Sequence, residues 1–171
     1  ILGNDGKTID HGMPLLLDPG ASDREMQDLI TQMSSGKIQS VVFAGANPAY
    51  HLPEYLKFAD ALKKVPFSAS ITDRLDETAK LTHAALPVSH FLEAWGDSEL
   101  VSGIHSVQQP VIRPLYQTQS TEDYLIAIAG GSIKGAPNFH AYLKDKWEAL
   151  GRGDFRKFWQ SSLQSGFFAP G

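Results

Sequence analysis

The segment from residue 45 to residue 48 carries the residue types best suited to binding a ligand. It reads Gly45-Ala46-Asn47-Pro48 and follows a β-branched and aromatic run that ends at Ala44. Glycine lets a ligand approach the backbone closely, and free N–H groups at a helix entrance favour phosphate or other polar atoms. Pro48 stiffens the loop and biases Asn47 away from helical geometry. The segment predicts either a ligand-binding loop before a helix that begins near Pro53, or an ordinary turn-forming connection.

Acidic residues follow the next predicted strand. Asp73 and the pair Asp76-Glu77 come after the run Phe67–Thr72. At the carboxyl end of a parallel strand, an acid can hold a ribose hydroxyl or a guanine edge. It can equally cap a helix, which is the commoner use of such a residue.

Three further motifs fit known chemistry poorly. Gly3–Thr8 imitates the end of a P-loop, but the required earlier glycine is replaced by Ile1, which excludes nucleotide hydrolysis on this basis. His90 and Glu93 share a helical face, yet a metal site would need further ligands, such as His83 or His105. Ser89, His90 and Asp97 compose a catalytic triad on paper, without a nucleophile elbow. We therefore expect no catalytic and no metal-binding residue.

Strand and helix signals alternate up to about residue 90. Predicted strands cover 13–18, 38–44, 67–72 and 84–88. A capped helix after Ser22 carries Met26, Leu29, Ile30 and Met33; a helix from Pro53 carries Tyr55, Phe58, Ala59 and Leu62 on one apolar stripe; and a short helix covers 73–83. The alternation predicts the α/β class, with a mostly parallel sheet and flanking helices.

The pattern changes after Ser89. Phe91–Asp97 predicts one or two helical turns, and Leu100–Gln119 reads as an irregular connection broken by Gly103, Pro110 and Pro114. Such a connection is usually functional or packs on a partner. A helical tail follows, with apolar stripes that begin near Thr121, Phe139 and Phe155. These stripes favour core helices, with a partner-facing helix as the minority alternative.

Composition limits the function classes. The 171 residues are 42% hydrophobic and 20% charged with a net charge of −4, which is ordinary for a soluble domain and gives no support for nucleic-acid binding. The absence of cysteine excludes thiolate-held iron–sulfur clusters and cysteine catalysis within this segment. No run is long enough to span a bilayer. The chain opens at Ile1, mid-pattern, and we expect it to be a piece of a longer protein.

An ordered set of short blocks resembles the molybdopterin oxidoreductase family, and most of all the large molybdopterin-oxidoreductase-like subunit of alternative complex III. The resemblance extends from about Leu2 to Gly130, and its order and approximate spacing are more specific than any one block. The blocks are Gly3–Thr8, Gly45–Pro48, Asp76–Ala79, Leu86–Pro87, Leu92–Asp97 and Gln109–Leu115. One departure is Thr82-His83-Ala84-Ala85, where the family commonly has Ala-Asp.

The resemblance implies a Rossmann-like domain over residues 1–130 and a helical extension over 131–171. In such families these domains cradle the guanosine arms of a molybdopterin guanine dinucleotide. By analogy, Gly45, Asn47 and Pro48 would form one dinucleotide-facing loop, and Asp73, Glu77 and Thr78 would lie near a guanosine. The alternative complex III subunit lacks that cofactor, and its iron–sulfur clusters are bound elsewhere.

Three hypotheses follow. In the preferred one, the segment is a cofactor-free scaffold domain in a quinol-oxidising respiratory complex, packed against other domains and subunits, with the parent on the periplasmic face of the bacterial inner membrane. In the second, it binds a dinucleotide arm of an active molybdopterin enzyme. In the third, it is a stand-alone small-molecule binding module. Under the scaffold hypothesis, we expect no cofactor in this soluble segment.

Overall fold

A computed structural model describes residues 3–12, 15, 20–151 and 153–169. These residues form two compact units. The parallel-sheet unit comprises 20–90 and 114–125, and the antiparallel-sheet unit comprises the described residues of 1–19, 91–113 and 126–171. The predicted strand 13–18 lies outside the described residues except for Leu15, which forms an isolated bridge to Val101. The domain boundary near residue 130 stays a prediction.

Three parallel strands form the sheet of the parallel-sheet unit. They are β1 (Ser40–Ala44), β2 (Phe67–Thr72) and β3 (Ala84–Pro87), in the order β1-β2-β3. Val42 lies beside Ala69, and Ile71 lies beside Leu86. The apolar and β-branched runs predicted these strands, and the structure confirms them along with the broad α/β class.

Helices cover one face of this sheet. In α1 (Asp23–Ser34), Glu25 N–H donates to Ser22 Oγ at 3.3 Å, and Ser22 N–H donates to the Glu25 carboxylate at 2.8 Å, so the two residues form a capping box. Two shorter helices follow β1, namely α2 (Pro48–His51) and α3 (Phe58–Leu62). The buried core of the unit consists of Ile30, Met33, Phe58, Ala61, Leu62 and Val65.

The two helices predicted after β1 and β2 differ from the structure. No continuous helix begins at Pro53, because Leu52 is extended before the proline and Lys57 adopts a left-handed conformation. The helix instead starts at Pro48, whose fixed φ suits a first helical position. The segment 73–83 contains only a 3₁₀ turn, Ala79–Leu81. The Thr72 hydroxyl donates to the carbonyl oxygen of Arg74 at 3.1 Å, a local side-chain bond of the kind that competes with helix formation.

The antiparallel-sheet unit contains β4 (Gly96–Val101), β5 (Ile104–Gln108) and β6 (Phe167–Phe168), in the order β4-β5-β6. Two helices of the predicted tail belong to it, α5 (Phe139–Glu148) and α6 (Phe155–Ser165). Its buried core consists of Leu143, Trp147 and Trp159. The aromatic stripes therefore serve as core, as the sequence predicted. The remaining helix, α4 (Thr121–Ile128), spans the boundary between the units along the chain.

The prediction that residues 100–119 form an irregular connection is wrong for its first part. β4 and β5 form a hairpin there, and Gly103 is a turn residue with φ of 78° that lies between the two strands. Its N–H donates to the Glu99 carboxylate at 2.8 Å. Before the hairpin, the segment Phe91–Asp97 was predicted to form one or two helical turns, and it contains one 3₁₀ turn, Phe91–Glu93.

None of the helices within the described ranges is long and apolar enough to cross a bilayer.

Candidate functional site

The three parallel strands end at one edge of their sheet, where α/β proteins commonly hold ligands. Gly45 follows β1 with a φ of 61°, a conformation that glycine adopts without strain. Its N–H donates to the carbonyl oxygen of Ile71 at 3.1 Å, so the loop starts as a continuation of the β1–β2 ladder. Gly45 is exposed, and no atom outside its immediate neighbours lies within 4 Å of the position that a Cβ would take.

Asn47 joins the loop after β1 to the loop after β2. Its Oδ1 accepts hydrogen bonds from the N–H of Thr78 at 3.1 Å and from the hydroxyl of Thr78 at 2.7 Å. Its Nδ2 donates to Glu77 Oε2 at 2.7 Å. The Thr78 hydroxyl also accepts from the N–H of Ala49 at 2.9 Å. We call Asn47, Glu77 and Thr78 the interloop latch.

Burial and charge distinguish the members of the latch. Thr78 is 0% exposed, whereas Asn47 is half-buried and Glu77 is exposed. The hydrogen bond from Asn47 holds the pKa of the Glu77 carboxyl below its ordinary value. Both side-chain polar atoms of Asn47 have protein partners in this arrangement, and the Thr78 hydroxyl is engaged on both sides. The latch therefore fixes the spacing of two loops whose residues are about 30 positions apart in the sequence.

Asp73 has a different partner. Its carboxylate accepts from the Arg74 guanidinium at 3.0 and 3.2 Å, and this pairing lowers the pKa of Asp73. Both side chains are exposed. A weaker contribution to the same shift comes from the charge of His90, in the segment that follows β3. Asp76, by contrast, accepts from the N–H of Ala79 at 2.8 Å, which is the capping use of an acid.

The six residues predicted for cofactor binding thus fall into three groups. Asn47, Glu77 and Thr78 form the latch, Gly45 and Pro48 shape the same loop, and Asp73 pairs with Arg74. Their assignment to cofactor binding stays a prediction. Sequence reasoning found these residues and missed their mutual contacts. A signal was present, since Asn before Pro at a helix start leaves the amide free to reach another segment.

Side chains of the other polar motifs have hydrogen-bond partners of their own among the described residues. Asp97 accepts from Lys146 Nζ at 2.8 Å and from Trp147 Nε1 at 3.1 Å, while the hydroxyl of Ser89 contacts that of Thr118 at 2.9 Å. His83 Nδ1 accepts from the N–H of Ser68 at 3.1 Å. In the ranges that the structure describes, no group of three or more His, Cys, Asp or Glu side chains could hold a metal ion.

An open groove follows the same β1 loop, and its lining includes Tyr50, Pro53, Tyr55 and Lys57. Tyr50 is 70% exposed and Tyr55 is 75% exposed. The sequence predicted Tyr55 on the buried stripe of a helix, and that expectation is wrong because no helix continues through Lys57. Two solvent-exposed tyrosines therefore contribute to the lining of this groove.

The chain thus belongs to the α/β class. At the carboxyl edge of its parallel sheet, where a ligand site is expected, the interloop latch joins two loops. No protein-family model matches the chain. Over 154 residues it is 37% identical to the molybdopterin-binding-like subunit of menaquinone reductase from Nitratidesulfovibrio vulgaris (strain Hildenborough). The match covers 81% of this chain and 22% of that subunit, so the chain spans about a fifth of the relative's length. This similarity supports the resemblance to the molybdopterin oxidoreductase family.

Proposed function

We propose that this chain is a segment of a larger molybdopterin-oxidoreductase-like subunit in a quinone-linked electron-transfer complex, and that its parallel-sheet unit is a cofactor-free scaffold. The ordered sequence blocks and the 37% identity to a menaquinone reductase subunit support the first part. The sequence resemblance points to quinol oxidation, as in alternative complex III, and the name of the relative points to menaquinone reduction. Both are quinone chemistry carried out by a multisubunit complex.

The interloop latch is the observation that carries the scaffold proposal. A dinucleotide-binding edge needs polar side chains that are available to the ligand. Here the Asn47 amide is bonded to Glu77 and Thr78, and Thr78 is fully buried. The remaining carboxylate charge of Glu77 would also repel a pyrophosphate at the same loop. The residues present therefore fit a dinucleotide arm poorly and fit a structural tie well.

The second candidate function is binding of one guanosine arm, and Gly45 favours it. This residue is exposed at the carboxyl end of β1, and the space around its Cα is open. Asp73 is also exposed, and a carboxylate is a suitable acceptor for the donor edge of guanine. We rank this function second because Asn47, Glu77 and Thr78 bond to one another in the latch and Thr78 is buried.

The proposal places this chain among other domains and subunits of the complex. A Rossmann-like scaffold would fix the positions of the iron–sulfur-binding parts of the parent relative to one another. Because the chain contains no cysteine, any thiolate-held cluster of the parent is bound by other segments. The proposed location of the parent is the periplasmic face of a bacterial inner membrane.

A nucleotide titration of the purified full-length parent tests the scaffold proposal against the second function. Guanosine diphosphate is added at millimolar concentration, with adenosine diphosphate as the matched control, and the melting temperature is measured. We expect the two nucleotides to give the same melting temperature. A bound ligand at a hundredfold its dissociation constant would add about 2.7 kcal/mol to the free energy of unfolding. A saturable rise that is specific to the guanosine nucleotide, and lost in Asp73→Asn, would overturn the scaffold proposal.

A further inference from the structure

β1 is the edge strand of the parallel sheet, and one of its sides has no partner in the described part of the chain. Gly45 N–H donates to Ile71, and the carbonyl oxygen of Gln39 accepts from Phe67, so the odd-numbered residues of this segment direct their backbone groups toward β2. The N–H and C=O groups of Ser40, Val42 and Ala44 therefore point away from β2. Among the described residues, no hydrogen bond reaches these outward groups.

The side chains of the same three residues share one face of the sheet, and burial on that face stops at β1. Ala69 and Ile71 in β2 are 2% and 1% exposed. Their direct neighbours across the ladder, Val42 and Ala44, are exposed, and Val42 reaches 36%. The apolar face that is buried at Ala69 and Ile71 therefore extends onto β1, where its side chains are exposed.

Edge strands of native proteins normally carry a device that prevents pairing with another strand. Such devices are charged side chains, proline, a bulge or very short length. β1 reads Ser-Val-Val-Phe-Ala over five residues, with no charge and no proline, and its ladder with β2 has no register shift. An unprotected edge of this kind is a template for a further strand.

We propose that the outward side of β1 binds an extended strand of the parent polypeptide that lies outside these 171 residues, with apolar side chains over Val42 and Ala44. This inference rests on the proposed function, in which the chain is a segment of a larger subunit. The length of the relative supports this occupant, because the matched segment is only 22% of it and most of that polypeptide is available to cover the edge. A strand from the same polypeptide also pairs at a high effective concentration.

Residue-resolved hydrogen exchange on the full-length parent tests the pairing. Val41 and Phe43, whose amides face β2, provide the internal standard. We expect the amides of Val42 and Ala44 to exchange within about tenfold of that standard, since both sets would be ladder amides. Exchange of Val42 and Ala44 at the rate of exposed amides would overturn the proposal. The result does not depend on metal or nucleotide content, so it is separable from failure of the scaffold function.

A photo-crosslinker at position 42 identifies the occupant. The variant is Val42→p-benzoylphenylalanine in the full-length parent, and Thr31→p-benzoylphenylalanine on an exposed position of α1 is the control. A crosslink from position 42, absent from position 31, to a peptide of the same polypeptide outside this segment supports the proposal. A crosslink to residues of this segment, to a second copy or to another subunit overturns it. The absence of any crosslink specific to position 42 also overturns it.

Discussion

Asn47 joins two of the loops at the carboxyl edge of the parallel sheet. Its amide accepts two hydrogen bonds through Oδ1 and donates one through Nδ2, so it can join a threonine and a carboxylate at once. No other side chain of the same size except aspartate could accept those two bonds, and aspartate could not donate to Glu77. The residue type is therefore explained by the contacts of the latch alone.

Replacing the amide by a carboxylate tests the latch. In Asn47→Asp, the two bonds from Thr78 can persist, but an anionic oxygen faces Glu77 Oε2 across the 2.7 Å contact. We expect a lower free energy of unfolding near pH 7 and a raised pKa of Glu77, because like charges disfavour ionisation. Urea unfolding as a function of pH, with an NMR titration of Glu77, measures both quantities.

The sign of the pH dependence follows from the lowered pKa of Glu77 in the folded state. This carboxyl contributes stability above its unfolded pKa, and the contribution is lost as the pH falls through the folded pKa. In Asn47→Asp, protonation of Glu77 relieves the repulsion. The loss in free energy of unfolding relative to the unsubstituted chain should therefore shrink as the pH falls toward about 4. Asn138→Asp is the matched control, because Asn138 caps α5 as an acceptor only. An equal loss in free energy of unfolding near pH 7 and near pH 4, or an equal loss in Asn47→Asp and Asn138→Asp, would contradict donation from Asn47 Nδ2 to Glu77.

Lys57 offers a second test at a single residue. It has a φ of 51°, in the left-handed region that costs an L-residue about 1–2 kcal/mol relative to the right-handed one. We expect Lys57→Gly to raise the free energy of unfolding by up to about 1 kcal/mol. Lys63→Gly, at a right-handed position with φ of −59°, should lower it instead. Denaturant unfolding compares the two, and a loss of stability in Lys57→Gly would show that the lysine side chain has a packing role.

At the scale of elements, hydrophobic periodicity predicted the parallel strands and the longer helices, and it failed for the short helices and the hairpin. The three parallel strands and the helices of the tail follow from runs of β-branched residues and from apolar stripes. The hairpin of β4 and β5 was missed because its strands are polar, as in Gly-Asp-Ser-Glu-Leu-Val, and because Gly103 looked like a breaker. Gly103 is instead the turn residue between the two strands. The strands are stabilised by pairing with each other, which a local hydrophobic pattern does not reveal.

The interloop latch could not be predicted as a latch. Its residues were found individually because they stand at strand exits, where ligand sites and structural ties use the same polar residue types. Which use applies depends on contacts between segments about 30 residues apart. Such contacts are decided by the packing of α2 against the loop after β2, and no local spacing encodes that packing. The sequence thus locates the candidate site, and the structure supplies the partners of its side chains.

The packing of α6 on its preceding loop gives a prediction for an element. An added Cβ at Gly151 would lie 2.5 Å from Cδ1 of Phe158, so one of the two must move. We expect Gly151→Ala to lower the free energy of unfolding by about 1–3 kcal/mol, as overpacking of a core does. Gly96→Ala is the control, since its Cβ would meet Gln108 at an ordinary 3.7 Å. Equal melting temperatures for the two variants would contradict the close contact between the loop and α6.

His140 gives α5 a predicted pH response. Its ring stacks on Trp95 with centroids 4.2 Å apart, and burial, with a smaller contribution from Lys144, lowers its pKa. The neutral ring is therefore favoured in the folded state, and its stabilisation is present above the unfolded pKa of about 6.5 and lost as the pH falls toward the folded value. His140→Phe should keep the stack and flatten the loss of stability below about pH 6.5. An unaltered slope in His140→Phe would exclude this histidine as its source.

For the whole molecule, the side of β1 that has no partner among the described residues fits the proposal that more of the parent polypeptide covers this segment. The chain matches about a fifth of its relative, lacks cysteine and has a latch where a dinucleotide arm would need free side chains. These properties agree with a scaffold inside a redox subunit.

Metal and pterin analysis of the purified full-length parent decides between scaffold and cofactor-binding domain. Molybdenum, tungsten and iron are measured per polypeptide, and oxidised pterin is measured by fluorescence after acid release. We predict iron in the complex, with molybdenum, tungsten and pterin each far below one per polypeptide. Stoichiometric pterin together with molybdenum or tungsten would contradict the scaffold function of the parallel-sheet unit.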